Sequence, residues 1–493
     1  MMRDSICRCC FCGSSRLVKR AYKDEKTGDE DMPYNSFADY PMSWKPVLDR
    51  NSRPLYLALA RQLADDVMNG ILLPGTKLPP QRELADFLDI NVSTVSRAFR
   101  LCSDKGMLTS VTGSGTFVAY DVRTSLSVVP DQVSPMIEMG SMMPETLADD
   151  EITCLLRQMM DEPGRFDFFQ YSMGGENWHR DAALALLREA GIEAARGDIL
   201  LASGGQNAIA AVLAGLFRPG DRIGVDPLVY PGLKSAAKLL GIRLVPVGQE
   251  RGEMSEEGLW YAIRNHHIKG IYITPDFQNP TTHIMSTDGR RMLARVAKKT
   301  QILVIEDAIT SLLLPRPLPP VRRFLPEQTV YILSLSKTIL PALRLAYLVV
   351  PELIRDSLAE TLYAMNLSQS EILLELASRL IVSHRVQDLM SLRRRRITMR
   401  NSAVNAILQG YTVRGDDCSL CRWLELPEPL TGSRFENLAR QKGVHVLGAE
   451  HFTVGTQPPE HGVRLSVGSP RDREELQTAL WRLREILDNQ RNL

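Results

Sequence analysis

The chain has 493 residues, of which 44% are hydrophobic and 24% are charged, and its formal net charge is +1. This length predicts about three domains with a large core, and the near-neutral charge excludes a chain that is basic throughout, so any contact with nucleic acid must be local. The N-terminus lacks the apolar core of a signal peptide and no run reaches the roughly 18 apolar residues of a membrane span, which predicts a cytoplasmic protein without membrane contacts.

The first 44 residues are polar and lack a sustained hydrophobic period, which predicts a flexible extension over 1–44. Four cysteines of this extension lie within residues 7–12, and Cys418 and Cys421 form a further CxxC pair. A structural zinc site needs two separated pairs that converge on one ion. The cluster is either half of such a site or, as we favour, part of a flexible segment, and we predict no metal.

Residues 45–120 carry strong local signals. The segment LYLALARQLADDVMNG predicts an amphipathic helix that ends at Gly70, and LPPQRELADFLDINVSTVSRAFRLCSDKG predicts two short helices. The second of these has four apolar residues at the spacing of one buried face: Val95, Ala98, Phe99 and Cys102. MLTSVTGSGTFVAY predicts a β-hairpin around a glycine-rich turn. Together these elements predict a winged helix-turn-helix unit.

Such a unit can place its second short helix in a major groove, with the hairpin along the backbone. Four basic side chains bracket that helix, where phosphate contacts are useful: Arg82, Arg97, Arg100 and Lys105.

After a Ser/Pro/Val linker at 121–136, residues 137–493 alternate strand-like and helix-like segments. This alternation predicts a parallel sheet wrapped by helices. We place this large lobe at about 170–385. From about 386 to 493, helices and short strands predict a smaller α+β lobe.

Polar and small residues follow the predicted strands of the large lobe one after another. In open α/β sheets, ligands gather at the carboxyl ends of the strands. The residues in question are Ser203-Gly204-Gly205-Gln206, Tyr230, Asn279, Asp307, Lys337 and, seven positions on, Arg344. Singly, each has an ordinary explanation as a turn residue, a packed aromatic, a buried acid or a surface charge. Together they supply an amine, a carboxylate, an amide, an aromatic face and a phosphate cradle, which pyridoxal phosphate (PLP) requires.

The motifs on both sides of the linker resemble known families. LPPQRELADFLDINVSTVSRAF with SGTFV resembles the GntR-type DNA-binding head, and DFQNPTT, IEDA, SLSK and RLSVG resemble a fold-type I aminotransferase. In this order they resemble the MocR-type branch of GntR transcriptional regulators. The resemblance implies an N-terminal winged helix-turn-helix (α+β) joined to an α/β fold-type I PLP-dependent aminotransferase-like domain with a small α+β C-terminal lobe.

The resemblance implies a role for each site residue. Lys337, the catalytic residue of the family's enzymes, would form the internal aldimine, and Asp307 would hold the pyridinium nitrogen. Asn279 would hydrogen-bond to the ring hydroxyl, Tyr230 would stack on the ring, and Arg464 would bind the carboxylate of an effector or substrate. The phosphate would rest on Gly204, Gly205, Gln206, Ser334, Ser336 and Arg344.

The resemblance also implies a double-stranded DNA operator, a small amine or amino-acid effector and a homodimer. The residues implied to face DNA are Arg82, Ser93, Thr94, Ser96 and Arg97, with Gly113 in the turn of the wing.

Four positions depart from the family pattern. Val92 stands where the reading helix usually begins with Arg, which predicts a distinctive operator. Residues 308–310 lack the Tyr that usually supports the ring hydroxyl, so we expect weaker tuning of the cofactor and less efficient turnover. Thr282 and Ala346 replace usual glycines.

Three functions follow from different classes of protein. We favour a regulator that senses PLP or an amine through Lys337. The alternatives are an active PLP-dependent aminotransferase with an accessory DNA-binding head, and an architectural DNA-binding protein with an inactive second domain. The winged head argues against a metabolic aminotransferase, which has no need of one. The retained cofactor residues argue against an architectural protein with an inactive domain.

Two further sets of residues receive predictions. Arg393–Arg396 lie in a helix-like segment and predict a solvated face, with a phosphate or DNA-backbone contact as the alternative. Five histidines show no metal-ligand spacing, and we predict that they are surface or lining residues: His179, His266, His267, His445 and His451.

Overall fold

The computed structural model of the protein describes residues 42–48, 53–68, 70–111, 113–120, 136–145, 149–162 and 177–491. The cysteine cluster at 7–12 and linker residues 121–135 lie outside these ranges, so the predictions for them stay predictions. Among the described residues, no group of histidine, cysteine and acidic side chains is arranged to hold a metal ion.

The winged unit consists of three helices and a two-stranded hairpin. The elements are α1 (Leu55–Met68), α2 (Gln81–Leu88), α3 (Val92–Asp104), β1 (Leu108–Val111) and β2 (Gly115–Val118). The four residues predicted to form the buried face of α3 are buried. Asn91 caps this helix because its side chain accepts a hydrogen bond from the Ser93 N–H. Gly113, at φ +80°, supplies the left-handed turn of the wing.

Trp44 also belongs to the winged unit. Its ring is buried, and its indole Nε1–H donates a 2.7 Å hydrogen bond to Asp66 on α1. Next to it, the Ser43 hydroxyl donates to the Lys77 carbonyl. The folded head therefore reaches into the segment that we assigned to the flexible extension.

The larger domain opens with β3 (Ile137–Glu138), α4 (Asp149–Asp161) and α5 (Asn177–Glu189) and then builds a seven-stranded sheet. Its strands are β4 (Ile199–Ala202), β5 (Arg222–Val225), β6 (Arg243–Pro246), β9 (Gly270–Ile273), β10 (Leu303–Asp307), β11 (Thr329–Ser334) and β12 (Ala346–Val349). The helices between them are α6 (Gly205–Leu216), α7 (Pro231–Leu239), α8 (Glu256–His266), α9 (Thr287–Thr300) and α10 (Val321–Phe324). A separate hairpin of β7 (Gln249–Glu250) and β8 (Glu253–Met254) precedes α8. The strand order is β4-β12-β11-β10-β9-β5-β6.

The sheet is mixed, whereas the alternating pattern predicted a parallel one. Strand β12 pairs antiparallel with both β11 and β4, and the other pairings are parallel. The reason is the short connection at 335–345, because a parallel return needs a crossover of a dozen or more residues.

Both faces of this sheet are covered. Along β11, Tyr331 and Leu333 pack in the core that contains residues of α5, whereas Val330 and Ile332 pack in the core that contains residues of α6. All six residues of β11 are buried, which explains its continuous apolar run. Helix α11 (Glu352–Asn366) contributes to the core on the α6 face of the sheet, and helix α12 (Glu371–Val382) contributes to the core on the α5 face.

The small lobe follows the long helix α13 (Arg385–Ile407). Its elements are β13 (Val413–Arg414), β14 (Cys421–Glu425), α14 (Gly432–Gln441), β15 (Val444–His445), β16 (Leu447–Gly448), β17 (Gly462–Ser466) and α15 (Arg473–Arg491). Strand β3, the first element after the linker, pairs with β15 and so joins this lobe. No helix in the described part of the chain has the length and apolar character of a membrane span.

The prediction of a solvated face for Arg393–Arg396 is wrong. Arg393 is only 1% exposed, and Arg394 donates two hydrogen bonds to the carbonyls of Leu312 and Leu313. Arg396 pairs with Glu145 at 2.8 Å, and only Arg395 is exposed. These cations lie inward because α13 crosses irregular backbone whose carbonyls need donors.

The histidine prediction is wrong at two positions. His179 is buried between Glu371 and Glu375, and His451 is buried against Glu436 at 2.8 Å. A buried imidazole needs hydrogen-bond partners, and the acidic side chains supply them.

Candidate cofactor site

The carboxyl ends of the parallel strands and the N-terminus of α6 meet at one edge of the sheet. A cavity opens there, and the predicted site residues that line it are Tyr230, Asn279, Asp307, Lys337 and Arg464. Three residues from the segment after the linker close it: Ser141, Met142 and Met143.

Lys337 lies in a tight turn directly after β11. The amine is held inside the domain and donates a hydrogen bond to the Met142 carbonyl. Burial and the nearby cations Arg464 and Arg344 lower the pKa of Lys337 to about 8. A larger fraction of the amine is therefore neutral near pH 7 than in free lysine, and the neutral form is the nucleophile that attacks a carbonyl.

The Lys337 turn is fixed from behind by Arg393. Its guanidinium donates from Nε to the Thr338 carbonyl at 3.0 Å and from Nη2 to the Ile339 carbonyl at 2.9 Å. A third bond, from Nη1, reaches the Glu145 carbonyl at 3.0 Å. Arg393 is therefore a positioning residue that the sequence prediction missed. Leu389 and Ile397, four residues before and after Arg393, are both buried. Residues four apart share one face of a helix, so this apolar spacing indicates that the Arg393 side chain also points inward.

Asp307 ends β10, and Tyr272 on the adjacent strand β9 orients its carboxylate. The Tyr272 hydroxyl donates a 2.6 Å hydrogen bond to Oδ2 of Asp307. Burial raises the pKa of Asp307 to about 6, against the lowering effect of the Tyr272 hydrogen bond. The Ile309 N–H faces the same carboxylate, but Oδ1 forms no hydrogen bond of normal geometry with the described residues. A cationic ring N–H at Oδ1 would satisfy this atom and stabilise the charged carboxylate.

Arg464 and Asn279 come together across the two lobes. Arg464 on β17 donates from Nη1 to the Asn279 Oδ1 at 2.6 Å and from Nη2 to the Gly140 carbonyl. Its guanidinium also lies 4.8 Å from the centre of the Phe452 ring. Burial lowers the pKa of Arg464, and no carboxylate pairs with it among the described residues. A ligand anion that replaced these neutral acceptors would therefore give the guanidinium an ion pair.

Tyr230 occupies the position before the first residue of α7, and its side chain lines the same cavity. Burial raises the pKa of its hydroxyl, with a further increase from the Asp307 charge. Its ring lies against Gly232, where an added Cβ would come within 2.3 Å of the tyrosine Cε1. The glycine therefore allows the aromatic face to lie at the cavity wall.

The predicted phosphate residues gather at the start of α6. Gly204, at φ +90°, precedes the helix, and an added Cβ would lie 2.9 Å from the Arg344 guanidinium. Gly205 lies against Ser334, and Ser336 is buried with its hydroxyl unpartnered among the described residues. A helix N-terminus beside an arginine fork is a favourable anion site.

The Gln206 side chain links two helices, and its predicted contact with a phosphate stays a prediction. Its side-chain amide donates to the Gly232 carbonyl at 2.9 Å, which links the start of α6 to the start of α7. Its Oε1 has no hydrogen-bond partner among the described residues.

The residues present fit PLP. The structure offers a buried amine, an unpartnered carboxylate oxygen and an aromatic wall around one cavity, together with an anion cradle at the start of α6. When bound, PLP supplies an electron-withdrawing ring that stabilises negative charge at the carbon next to an amine. The residues that would hold it are Lys337, Asp307, Asn279, Tyr230, Gly204, Gly205, Gln206, Ser334, Ser336 and Arg344.

The predicted DNA-facing residues differ in their exposure. Arg82, Ser93 and Arg97 are exposed, whereas Thr94 and Ser96 are half-buried. The Arg97 guanidinium lies 4.4 Å from the centre of the Tyr56 ring on α1, which orients it. The turn at Gly113 has open space around the position of a Cβ.

The pKa of Lys337 gives a pH prediction. Because the neutral amine is the reactive form, the rate at which apo-protein captures PLP should rise with pH and level off above a midpoint near 8. Stopped-flow absorbance at a series of pH values measures this rate. Arg464→Gln should raise the midpoint, since it removes a neighbouring cation that favours the neutral amine. A midpoint near 10 in the unsubstituted protein would contradict the account.

Known protein families match both the winged head and the larger domain. Residues 149–483 match the model of the aminotransferase class I and II family, and residues 55–118 match that of the bacterial regulatory proteins of the gntR family. The chain is 47% identical to the uncharacterized HTH-type transcriptional regulator YdeF of Bacillus subtilis, over 93% of this chain and 100% of that protein. It is 26% identical to the vitamin B6 salvage pathway transcriptional repressor PtsJ of Salmonella typhimurium, over 83% and 93% of the two chains.

Solved structures agree on the fold. The multiple substrate aminotransferase of Thermococcus profundus superposes with a TM-score of 0.68 at 20% identity, covering 80% of this chain and 99% of that one. The kynurenine aminotransferase of Pyrococcus horikoshii superposes with a TM-score of 0.67, also at 20% identity, covering 73% and 92%.

A DNA-binding head on an aminotransferase fold defines a class of transcriptional regulator. The chain belongs to the MocR-type branch of the GntR family, and its larger domain is a member of the aminotransferase class I and II family. The predicted fold class is confirmed.

Proposed function

We propose that this regulator senses PLP, or an amine or amino acid that competes for PLP, at Lys337 and passes the signal to its DNA-binding head. One observation carries the proposal. Lys337 and Arg464, the two groups expected to engage cofactor and effector, each donate a hydrogen bond to the segment that follows the linker to the head.

We call this segment, residues 137–144, the strap. Its Met142 carbonyl accepts from Lys337 and its Gly140 carbonyl accepts from Arg464. Glu138 holds its shape by accepting from the N–H groups of Gly140 at 2.6 Å and Ser141 at 2.7 Å. The strap therefore occupies, with its own carbonyls, the donors that ligands need.

Ligands would compete with the strap for these donors. A carboxylate that pairs with Arg464 gains a charge-assisted bidentate contact and displaces the Gly140 carbonyl. A carbonyl compound that reacts with Lys337 removes the donor from Met142. Both events favour conformations in which the strap has moved, together with the end of the linker to which it is joined. This shift in the population of conformations is the proposed signal.

A second candidate function is transamination, for which Lys337 itself is the favourable observation. A buried amine with its pKa near 8 can act as a general base close to neutral pH. Residues 308–310 lack the usual ring-supporting tyrosine, so we expect turnover to be slow. Sustained release of keto acid from an amino acid over many turnovers would establish this function.

We also propose a homodimer, on the basis of the phosphate cradle. Arg344 is exposed although its neighbours Gly204 and Gly205 are buried. The nearby end of α11 carries apolar side chains that are 41% to 52% exposed, namely Tyr363, Met365 and Leu367. Asn366 links this region to the cradle by donating to the Ser203 hydroxyl. A second copy placed here would cover the apolar residues and close the cradle.

A substitution in the head tests whether operator binding and PLP binding are carried by separate parts of the chain. Arg82→Ala should weaken operator binding by roughly tenfold or more at physiological salt, because one charge-assisted phosphate contact is lost. The absorption spectrum of the PLP-loaded protein should stay unchanged. Electrophoretic mobility shift and absorbance on the same preparation measure both. Arg61→Ala, which removes another exposed arginine of the head, is the matched control. Loss of both binding and spectrum in Arg82→Ala would contradict the division into head and sensor.

A further inference from the structure

The first turn of α3 presents an apolar side chain to solvent. Val92 is the first residue of the helix and is 38% exposed. The buried face of the helix does not include it, since that face is formed by Val95, Ala98, Phe99 and Cys102. A partly exposed valine outside this buried face therefore stands at the end of the helix expected to meet base edges.

Two polar side chains near Val92 already form contacts within the head. The Asn91 side chain accepts from the Ser93 N–H at 2.8 Å and so caps the helix. Arg97, one turn further on, is drawn towards α1 by the Tyr56 ring. The exposed residues at the start of the helix are Asn91, Val92 and Ser93, and Val92 is the apolar one among them.

Valine has no hydrogen-bond donor or acceptor, so it cannot recognise a base through polar groups. The major groove offers one apolar feature among its base edges, the 5-methyl group of thymine. A β-branched side chain in a helix is also nearly fixed in one rotamer, so its methyl groups present a defined surface without a large loss of entropy on binding.

We propose that Val92 is a specificity-determining residue that selects thymine by contact with its 5-methyl group. The arginine that usually begins this helix in related heads would favour guanine, because its fork matches the guanine O6 and N7 acceptors. The substitution thus changes the preferred base at one position of each half-site from guanine to thymine. The inference rests on the DNA-binding part of the proposed function.

The test begins with selection of binding sites from a random duplex library by the full-length, PLP-loaded protein. Each enriched thymine is then replaced singly by deoxyuridine, which removes only the methyl group. Binding constants are measured for the unsubstituted protein, Val92→Ala and Ser93→Ala. Ser93→Ala is the matched control, because it changes the neighbouring exposed residue of the same turn.

At one thymine per half-site, deoxyuridine should weaken binding by the unsubstituted protein about three- to fourfold, the value expected for one buried methyl group. Ser93→Ala should keep this loss, and Val92→Ala should reduce it to less than about 1.5-fold. A second selection with Val92→Arg should enrich guanine at the same position.

Two results would overturn the inference and are distinguishable. If sites are enriched but no thymine shows a loss that depends on Val92, the base assignment is wrong while DNA binding stands. If no sequence is enriched at all, the proposed function fails, and the inference fails with it.

Discussion

Replacing Lys337 with alanine should abolish covalent attachment of PLP. The side chain is the amine that lines the cavity beside Asp307, and its position in a turn held by Arg393 leaves no substitute at the same place among the described residues. After reduction with borohydride, the unsubstituted protein should carry PLP on the peptide that contains Lys337. The variant should carry none, and the yellow colour of the bound cofactor should disappear.

Lys238→Ala is the control for this experiment, since Lys238 is an exposed lysine of the same domain. Noncovalent PLP binding through Arg344 and Asp307 should survive in Lys337→Ala at reduced affinity. A reduced adduct on another lysine of the variant, in equal yield, would contradict the assignment of Lys337. So would an unsubstituted protein that stays colourless after incubation with PLP.

Replacing Arg393 with methionine should produce the largest loss of stability among single substitutions near the site. The change keeps the apolar stem but removes the donors for three carbonyls, two of them in the Lys337 turn. A buried carbonyl left without a donor costs about 1–3 kcal/mol. Because the three costs are not additive, we expect the free energy of unfolding to fall by roughly 3–5 kcal/mol.

The matched variant is Arg395→Met, two residues along the same helix and exposed. It should change stability by less than about 0.5 kcal/mol. Thermal unfolding of both variants, followed by circular dichroism, provides the comparison. PLP affinity should also fall in Arg393→Met, since the turn that presents Lys337 loses its support. Equal unfolding midpoints for the two variants would show that Arg393 does not hold the turn.

Much of the fold could be predicted because local signals and tertiary structure agree. Alternating strands and helices placed the sheet, and the period of the apolar residues gave the buried face of α3. The site residues Tyr230, Asn279, Asp307 and Lys337 could be gathered because strands of a parallel sheet end at one edge. Their individual roles stay predictions that the geometry supports.

The wrong and missed predictions have one physical cause: contacts between residues far apart in sequence determine these features, and the local sequence does not show them. The antiparallel β12 depends on the length of one loop, and the inward turn of Arg393 depends on the carbonyls of a turn far away in sequence. Tyr272 resembled an ordinary strand residue until β9 and β10 aligned it with Asp307. The strap could not be predicted, because its backbone carbonyls, rather than its side chains, contact Lys337 and Arg464.

The central claim is that chemistry at Lys337 controls operator binding. The most direct measurement titrates PLP-loaded protein with a panel of amines and amino acids while following absorbance and the fluorescence anisotropy of a labelled operator together. The account predicts at least one compound that changes the spectrum and the operator affinity over the same concentration range, and no response of either kind in Lys337→Ala. Operator affinity that is indifferent to every compound and to PLP, or that responds equally in Lys337→Ala, would contradict it.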